Sequence, residues 1–184
     1  MPLQRQTLRY EFTDDGALEI LRNSGASPAL VSHCEAVRDL ALRICDRLSR
    51  PVDRNLVSIG ALLHDLGRVR TGGILHVVEG VRLGEHLGLS ESICRIIQRH
   101  VGAGLSSEEA EEAGLPPGDY LPETMEEKIV AYADNLVYGS RAISFEQSIE
   151  RFSKQLGPGN PVVRRMIALH EEVVSWCDGE GYGT

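Results

Sequence analysis

Residues 61–70 read ALLHDLGRVR, and they set a problem that the rest of the chain has to solve. Ala61, Leu62 and Leu63 have the character of the end of a buried helix, yet the next two residues are His64 and Asp65. Gly67 then breaks the helix and releases Arg68 and Arg70. Burying an unpaired carboxylate is too costly to be casual. A partner for Asp65 must therefore come from elsewhere in the chain, or the pair is exposed.

The surrounding segments read almost entirely as helix. Residues 14–23 make a short one, and Ser27 followed by Pro28 is an N-cap and first-turn pair that opens a long helix to about Ser49. In that helix Leu30, Val37, Leu40, Ala41, Ile44 and Leu48 recur at helical spacing. Pro51 stops it, and Asp53 caps the next helix, which runs to about Leu66. RVRTGGIL reads as a loop, HVVEGVRLGEHLG as a helix closed by Gly88, and SESICRIIQRHVG as another closed by Gly102. Ser106 and Glu109 have capping-box spacing at the head of a short acidic helix, and the proline-rich LPPGDYLPE leads to a helix over 124–138. Ser144 with Gln147 caps a further helix, Asn160 and Pro161 open the last, which ends near Cys177, and GEGYGT reads as a frayed tail. No alternating strand pattern, internal repeat or linker interrupts this series. The expectation is an all-α fold and one domain over residues 1–184, with helices at 144–177 completing it.

Composition narrows the partners. The 184 residues carry a net charge of −8, and aromatics are only 5%, which disfavours base stacking on nucleic acid and non-specific binding to nucleic acid or anionic membrane. A small anion remains an acceptable ligand wherever a local basic cluster offsets the global field. The start, MPLQRQTLRY, lacks the apolar core of a signal peptide, and no run approaches the roughly 20 apolar residues of a membrane span. Cys34, Cys45, Cys94 and Cys177 show no CxxC spacing and fall mostly within helices, as reduced thiols of a cytoplasmic protein do.

The helices also carry polar residues where the core should be. His33 lies on the line 33, 37, 40, 44, 48, and His64 lies with Val57, Gly60 and Ala61. His76 shares a face with Gly80, Leu83 and Leu87, and His100 ends the face of Ile93, Ile96 and Ile97. Asp134 sits with Val130, Ala133 and Val137. One histidine on an apolar face is ordinarily a hydrogen-bonded core residue. Five such positions plus Asp65 each need a partner, and a metal satisfies them together. Imidazole and carboxylate donors suit iron, manganese, cobalt, nickel or zinc rather than calcium or magnesium alone. Six ligands exceed the usual set for one catalytic ion and suit two, with Asp65 as the bridge.

His33, the His64–Asp65 dyad and Asp134 resemble the H…HD…D signature of the HD-domain superfamily of metal-dependent phosphohydrolases, and ALLHDLGR resembles its HDIG helix end. His76 in HVVEG and His100 in IIQRHVG resemble the extra pair of its binuclear members, and the likeness runs from about residue 28 to 140. The stretches HCEAVRDLAL and EEAEEAGLPPGDYLPETMEEKIVAYADNL resemble an archaeal HDIG-domain subgroup. The resemblance implies an all-helical HD-domain bundle with the metal site in its core. It implies one ion, preferably iron or manganese, on His33, His64, Asp65 and Asp134, and a second on His76, His100 and bridging Asp65. It also implies hydrolysis of a phosphoester or phosphoanhydride, with a nucleotide-type substrate, by a metal-bridged hydroxide for which Asp65 is central. Where relatives have a phosphate-binding lysine this chain has Arg68, and Arg70 is a second candidate for the phosphate.

Two other readings share these residues. Mixed-valent di-iron oxygenases of the same superfamily use a similar set of histidines and aspartates, and a non-catalytic nucleotide-binding module would hold metal without turnover. Homo-oligomerisation is open in either case. Arg38, Arg99 and Arg141 flank the ligands as phosphate contacts or solvated charges. His86 and His170 are expected to stand apart from the cluster, and 106–127 to be a lid with Tyr120 stacking on a base or an ordinary connector.

Overall fold

Every α-helix described, except the one that follows Leu75, begins where a short polar side chain takes an orphaned backbone amide. The computed structural model describes residues 13–157 and 159–177, so the readings of MPLQRQTLRY and GEGYGT lie outside it. Thr13 caps α1 (Asp14–Asn23), and Ser27 with Pro28 opens α2 (Pro28–Cys45). Asp53 caps α3 (Arg54–Leu63), and α4 (His76–Leu87) closes on Gly88 in the left-handed region. Ser90 caps α5 (Glu91–Arg99), while Ser106 and Glu109 form a reciprocal capping box on α6 (Ser107–Glu112). Thr124 caps α7 (Met125–Asn135), Ser144 and Gln147 box α8 (Phe145–Leu156), and Asn160 with Pro161 starts α9 (Pro161–Ser175).

The all-α expectation holds, with local corrections, among them the end of α2 at Cys45 rather than near Ser49. Residues 136–138 leave the helix and pair in a two-residue antiparallel hairpin, β1 (Val137–Tyr138) with β2 (Arg141–Ala142), too short to leave an alternating signature. The helix expected to reach Leu66 ends at Leu63, and a 3₁₀ turn over Leu66–Val69 takes its place before the loop.

α2 packs against α3 and α7, and α3 also meets α1 and α5. One apolar cluster joins α2, α7 and α9 through Val37, Ile44, Val130, Met166 and Val173. A second fills the space between α1, α3 and α5 with Leu21, Leu62, Leu63, Leu66 and Ile97. Those five are essentially sealed from water, each worth about 2 kcal/mol of transfer free energy. Cys34, Cys45 and Cys94 are buried and all four cysteines are free thiols. No helix among the described residues is long and apolar enough to cross a membrane.

Two close approaches shape the metal side of the bundle. The 3₁₀ turn lies directly on the start of α4: a β-carbon on Gly67 would sit 1.9 Å from the His76 carbonyl oxygen and 2.5 Å from the Gly80 nitrogen. Gly67 is thus required because two backbones touch there, which a side chain of any size forbids.

The second is electrostatic. Arg99, 6% exposed, donates to Glu127, Glu123 and Asp119 at 2.9, 2.9 and 2.7 Å, and its Nε reaches the Asp119 carbonyl. It is neither a phosphate contact nor a solvated charge. It anchors the 119–127 connector beside His100. Arg99→Ala strands the buried Glu127 carboxylate and is expected to cost about 3 kcal/mol, read as a fall in chemical-denaturation midpoint with the slope preserved.

Candidate metal centre

The six residues singled out in sequence converge. His64 and His100 come at the ends of α3 and α5, where last-turn carbonyls lack helical partners, and each takes such a carbonyl. His64 Nδ1 lies 2.7 Å from Ala61 O, and His100 Nδ1 lies 2.9 Å from Ile97 O. At the head of α4, His76 Nδ1 reaches Gly73 O at 2.6 Å, and in α2 His33 Nδ1 reaches Gly139 O of the hairpin at 2.7 Å. A carbonyl only accepts, so every Nδ1 is the donor, and every neutral ring presents its Nε2 lone pair inward. Such outer support is what metal-ligating histidines have.

The four Nε2 atoms surround Asp65. Its Oδ1 is 3.1 Å from His76 Nε2 and 3.4 Å from His100 Nε2. Its Oδ2 is 3.7 Å from His64 Nε2 and 3.8 Å from His33 Nε2. Asp134 Oδ1 joins the second group, 3.1 Å from His33 Nε2 and 3.5 Å from His64 Nε2. The donor atoms form overlapping sets within 4.8 Å: His33, His64 and Asp65; His64, His100 and Asp134; Asp65, His76 and His100. His64, Asp65, His76 and His100 are buried, while His33 and Asp134 are partly open to a cavity.

This arrangement fits divalent metal. His64 Nε2 and Asp65 Oδ1 are buried without a hydrogen-bond partner, an unfavourable state that a cation would relieve. His76 and His100 point Nε2 at Nε2 across 3.1 Å, tolerable only with positive charge between or upon them. Burial opposes protonation of His64, yet the carboxylates of Asp65 and Asp134 outweigh it and lift its pKa to about 9. Burial lowers that of His100. Burial also works against both carboxylates, but the surrounding imidazoles hold Asp65 and Asp134 well below the usual carboxylate range.

A cavity of about 430 Å³ opens over the cluster, lined by His33, Asp65, His100 and Asp134 at its floor and by Arg68 at its side. Arg68 Nε donates to Asp65 Oδ2 at 2.6 Å, leaving its terminal nitrogens for another acceptor. Arg70 is not brought to this cavity; it lines a separate cleft with Arg82 and Pro116. Arg38 is tied to Asp14 and Asp39, and Arg141 is exposed on β2. His86 is exposed, and His170 stacks on Phe145 at 3.7 Å with its Nδ1 2.6 Å from the Tyr132 hydroxyl. Tyr120 does not face the cavity either: it is 4% exposed, packed with Val77, Ala110 and Leu115. The cavity wall holds two residues that sequence patterns did not mark, Tyr138 and Arg151. Both lie outside the run of inward polar positions, and only the fold of α8 against the hairpin brings them together.

A helical bundle that gathers four imidazoles and two carboxylates under an open cavity is a metal-site scaffold. The chain belongs to the HD-domain family, whose model matches residues 30–139. It is 46% identical over 160 residues to an uncharacterised protein of Methanocaldococcus jannaschii, covering 85% of this chain and 94% of that one. It is 42% identical over 171 residues to a tRNA (cytidine(56)-2'-O)-methyltransferase of Picrophilus torridus, covering 92% of this chain but 49% of that protein. A Thermoplasma volcanium protein of the same name is 42% identical over 142 residues, with 41% of its length covered. The chain therefore spans less than half of each methyltransferase relative. Among solved structures, the HD domain of the L. monocytogenes phosphodiesterase PgpH matches at TM-score 0.53 and 18% identity, with 89% of each chain covered. Its complex with cyclic-di-AMP matches at TM-score 0.54 and 16% identity, covering 90% of this chain and 99% of that one. At such identities the likeness is one of fold.

Proposed function

We propose that this protein is a divalent-metal-dependent phosphohydrolase acting on a phosphoester or phosphoanhydride of a nucleotide-type substrate. The observation that carries the reading is the division of the Asp65 carboxylate, with Oδ1 nearest His76 and His100 and Oδ2 toward His33 and His64. In this reading His33, His64, Asp65 and Asp134 hold one ion, preferably iron or manganese. His76 and His100 hold the second, sharing Asp65. Ions held there would supply Lewis acidity, activating water near neutral pH and offsetting charge that develops on phosphorus. HD-family membership and the phosphodiesterase neighbours support the class, and the neighbour's cyclic-di-AMP complex supports a nucleotide ligand.

The chain's own contribution is orientation. Backbone carbonyls hold all four imidazoles with Nε2 inward, and Arg68 fixes the tilt of the Asp65 carboxylate through Nε. Arg68 lines the cavity, and a phosphate oxygen bound there can accept from its remaining guanidinium nitrogens. Arg70, in its separate cleft, is left out of this assignment. The methyl transfer in the names of two relatives is not carried over, since this chain spans less than half of each.

The test is phosphate release from a nucleotide panel by protein loaded with manganese or ferrous iron. Release supports the reading, and no release with either metal overturns it. Dioxygen consumption by the ferrous protein with a polyol or phosphonate would transfer the assignment to the oxygenase class. The two-ion assignment has its own check. His76→Ala is expected to lower metal content from about two ions per chain to about one, measured by elemental analysis, because His33, His64 and Asp134 remain. Unchanged content would remove His76 from the ligand set.

A further inference from the structure

The arginines packed into the bundle and its cavity differ in one respect. Arg99, Arg38, Arg165 and Arg68 are each paired with at least one carboxylate. Arg151 is not: among the described residues it has no ion pair, and its buried Nε has no hydrogen-bond partner. It comes from α8, beyond the matched 30–139 region, yet lines the same cavity as His33, Asp65 and Asp134. Its guanidinium carbon lies 4.7 Å from the Phe152 ring centroid and 5.3 Å from that of Tyr138. Aromatic faces hold a cation in place without neutralising it. The result is a fixed, uncompensated positive charge in the wall of a cavity whose floor bears the metal-site cluster.

Tyr138 completes that wall. Its ring has Arg151 against it, yet the residue remains 64% exposed, the most exposed of the large apolar and aromatic side chains described. It sits on β1, next to Gly139, whose carbonyl orients His33. The outer ring surface is available to a planar aromatic group within reach of the same cavity. At about 430 Å³ the cavity falls within the roughly 300–1,000 Å³ range of small-ligand sites, large enough for one nucleotide.

We infer that Arg151 and Tyr138 are the specificity-determining residues of this site. Arg151 takes an anionic oxygen of the substrate, and Tyr138 stacks on its base, so the ligand class is a nucleoside phosphate. The inference rests on the hydrolase reading for the identity of the site, but binding tests it separately from turnover. Isothermal titration of manganese-loaded protein with AMP, ribose 5-phosphate and inorganic phosphate compares wild type with Arg151→Met, Arg151→Lys and Tyr138→Ala. Methionine keeps the packing against the two rings and removes the charge.

Arg151→Met is expected to weaken AMP and ribose 5-phosphate by the same factor, roughly 10- to 100-fold, with metal content and melting temperature retained. Arg151→Lys should recover part of that loss. Tyr138→Ala should weaken AMP about tenfold more than it weakens ribose 5-phosphate, since only AMP has a base to stack. Wild type that binds AMP no better than ribose 5-phosphate, or an Arg151→Met variant with unaltered AMP affinity, would overturn the inference. So would wild type that binds no AMP. If the binding pattern appears as expected but no nucleotide is hydrolysed, the recognition wall stands and the hydrolase reading falls.

Discussion

Asp65→Ala is expected to abolish turnover, by on the order of 10³-fold or more in kcat, and to empty both metal positions together. The reason is geometric. Asp65 has all four imidazole Nε2 atoms within 3.8 Å of one or other carboxylate oxygen, so it is placed to serve both halves of the cluster at once. Removing it leaves His76 and His100 facing each other with no anion between the two groups. The variant should still fold, because alanine fits wherever aspartate did and the helix ends retain their backbone bonds. Elemental analysis beside a far-ultraviolet spectrum checks both halves of the expectation. A variant that retains metal and activity would sink the bridging assignment, whereas loss of one ion only would place Asp65 in a single coordination sphere. Asp65→Asn sharpens the result, since it preserves shape while removing the charge.

Gly67→Ala is expected to be the most damaging small substitution in the described chain, costing about 4 kcal/mol. A single methyl group would lie 1.9 Å from the His76 carbonyl oxygen, and neither backbone can yield without moving a ligand. His76 would be pushed away from Asp65, and the 3₁₀ turn carrying Arg68 would lift from α4. Chemical denaturation gives the stability loss, and metal content reports whether the second position survives. The contrast is Gly72→Ala in the neighbouring loop, where an added β-carbon meets nothing within 4 Å. That variant should be indistinguishable from wild type, and equal tolerance at both sites would refute the contact argument.

The helices and the six inward residues were legible because both depend on local rules. Caps such as Ser27, Asp53, Ser106 and Ser144 announce themselves by residue type and spacing, and the 3.6-residue period assigns His33 and Asp134 to buried faces. The hairpin after Asn135 was not legible, since two residues per strand carry no period. Arg70 lies in another cleft because sequence adjacency to Arg68 says nothing of direction; in a 3₁₀ turn the next residues are swept round. Arg99 and Tyr120 looked like surface candidates because their partners, Glu127 and Val77, lie far along the chain. Arg151 went unseen for the same reason. Its environment exists only after α8 has folded back over the hairpin.

The supports of the four imidazoles are the carbonyls of Ala61, Gly73, Ile97 and Gly139, and none is a side chain. In many metal sites that role falls to carboxylates, which a single substitution can remove. Here the aim of the ligands is written into the main chain, and three of the four supports are only three residues from the histidine they serve. Substitution among neighbouring side chains can reshape the cavity and its wall while leaving the imidazoles pointed as before. Such a centre is insulated from drift in its surroundings, so recognition can diversify across descendants while the metal-holding geometry is inherited intact.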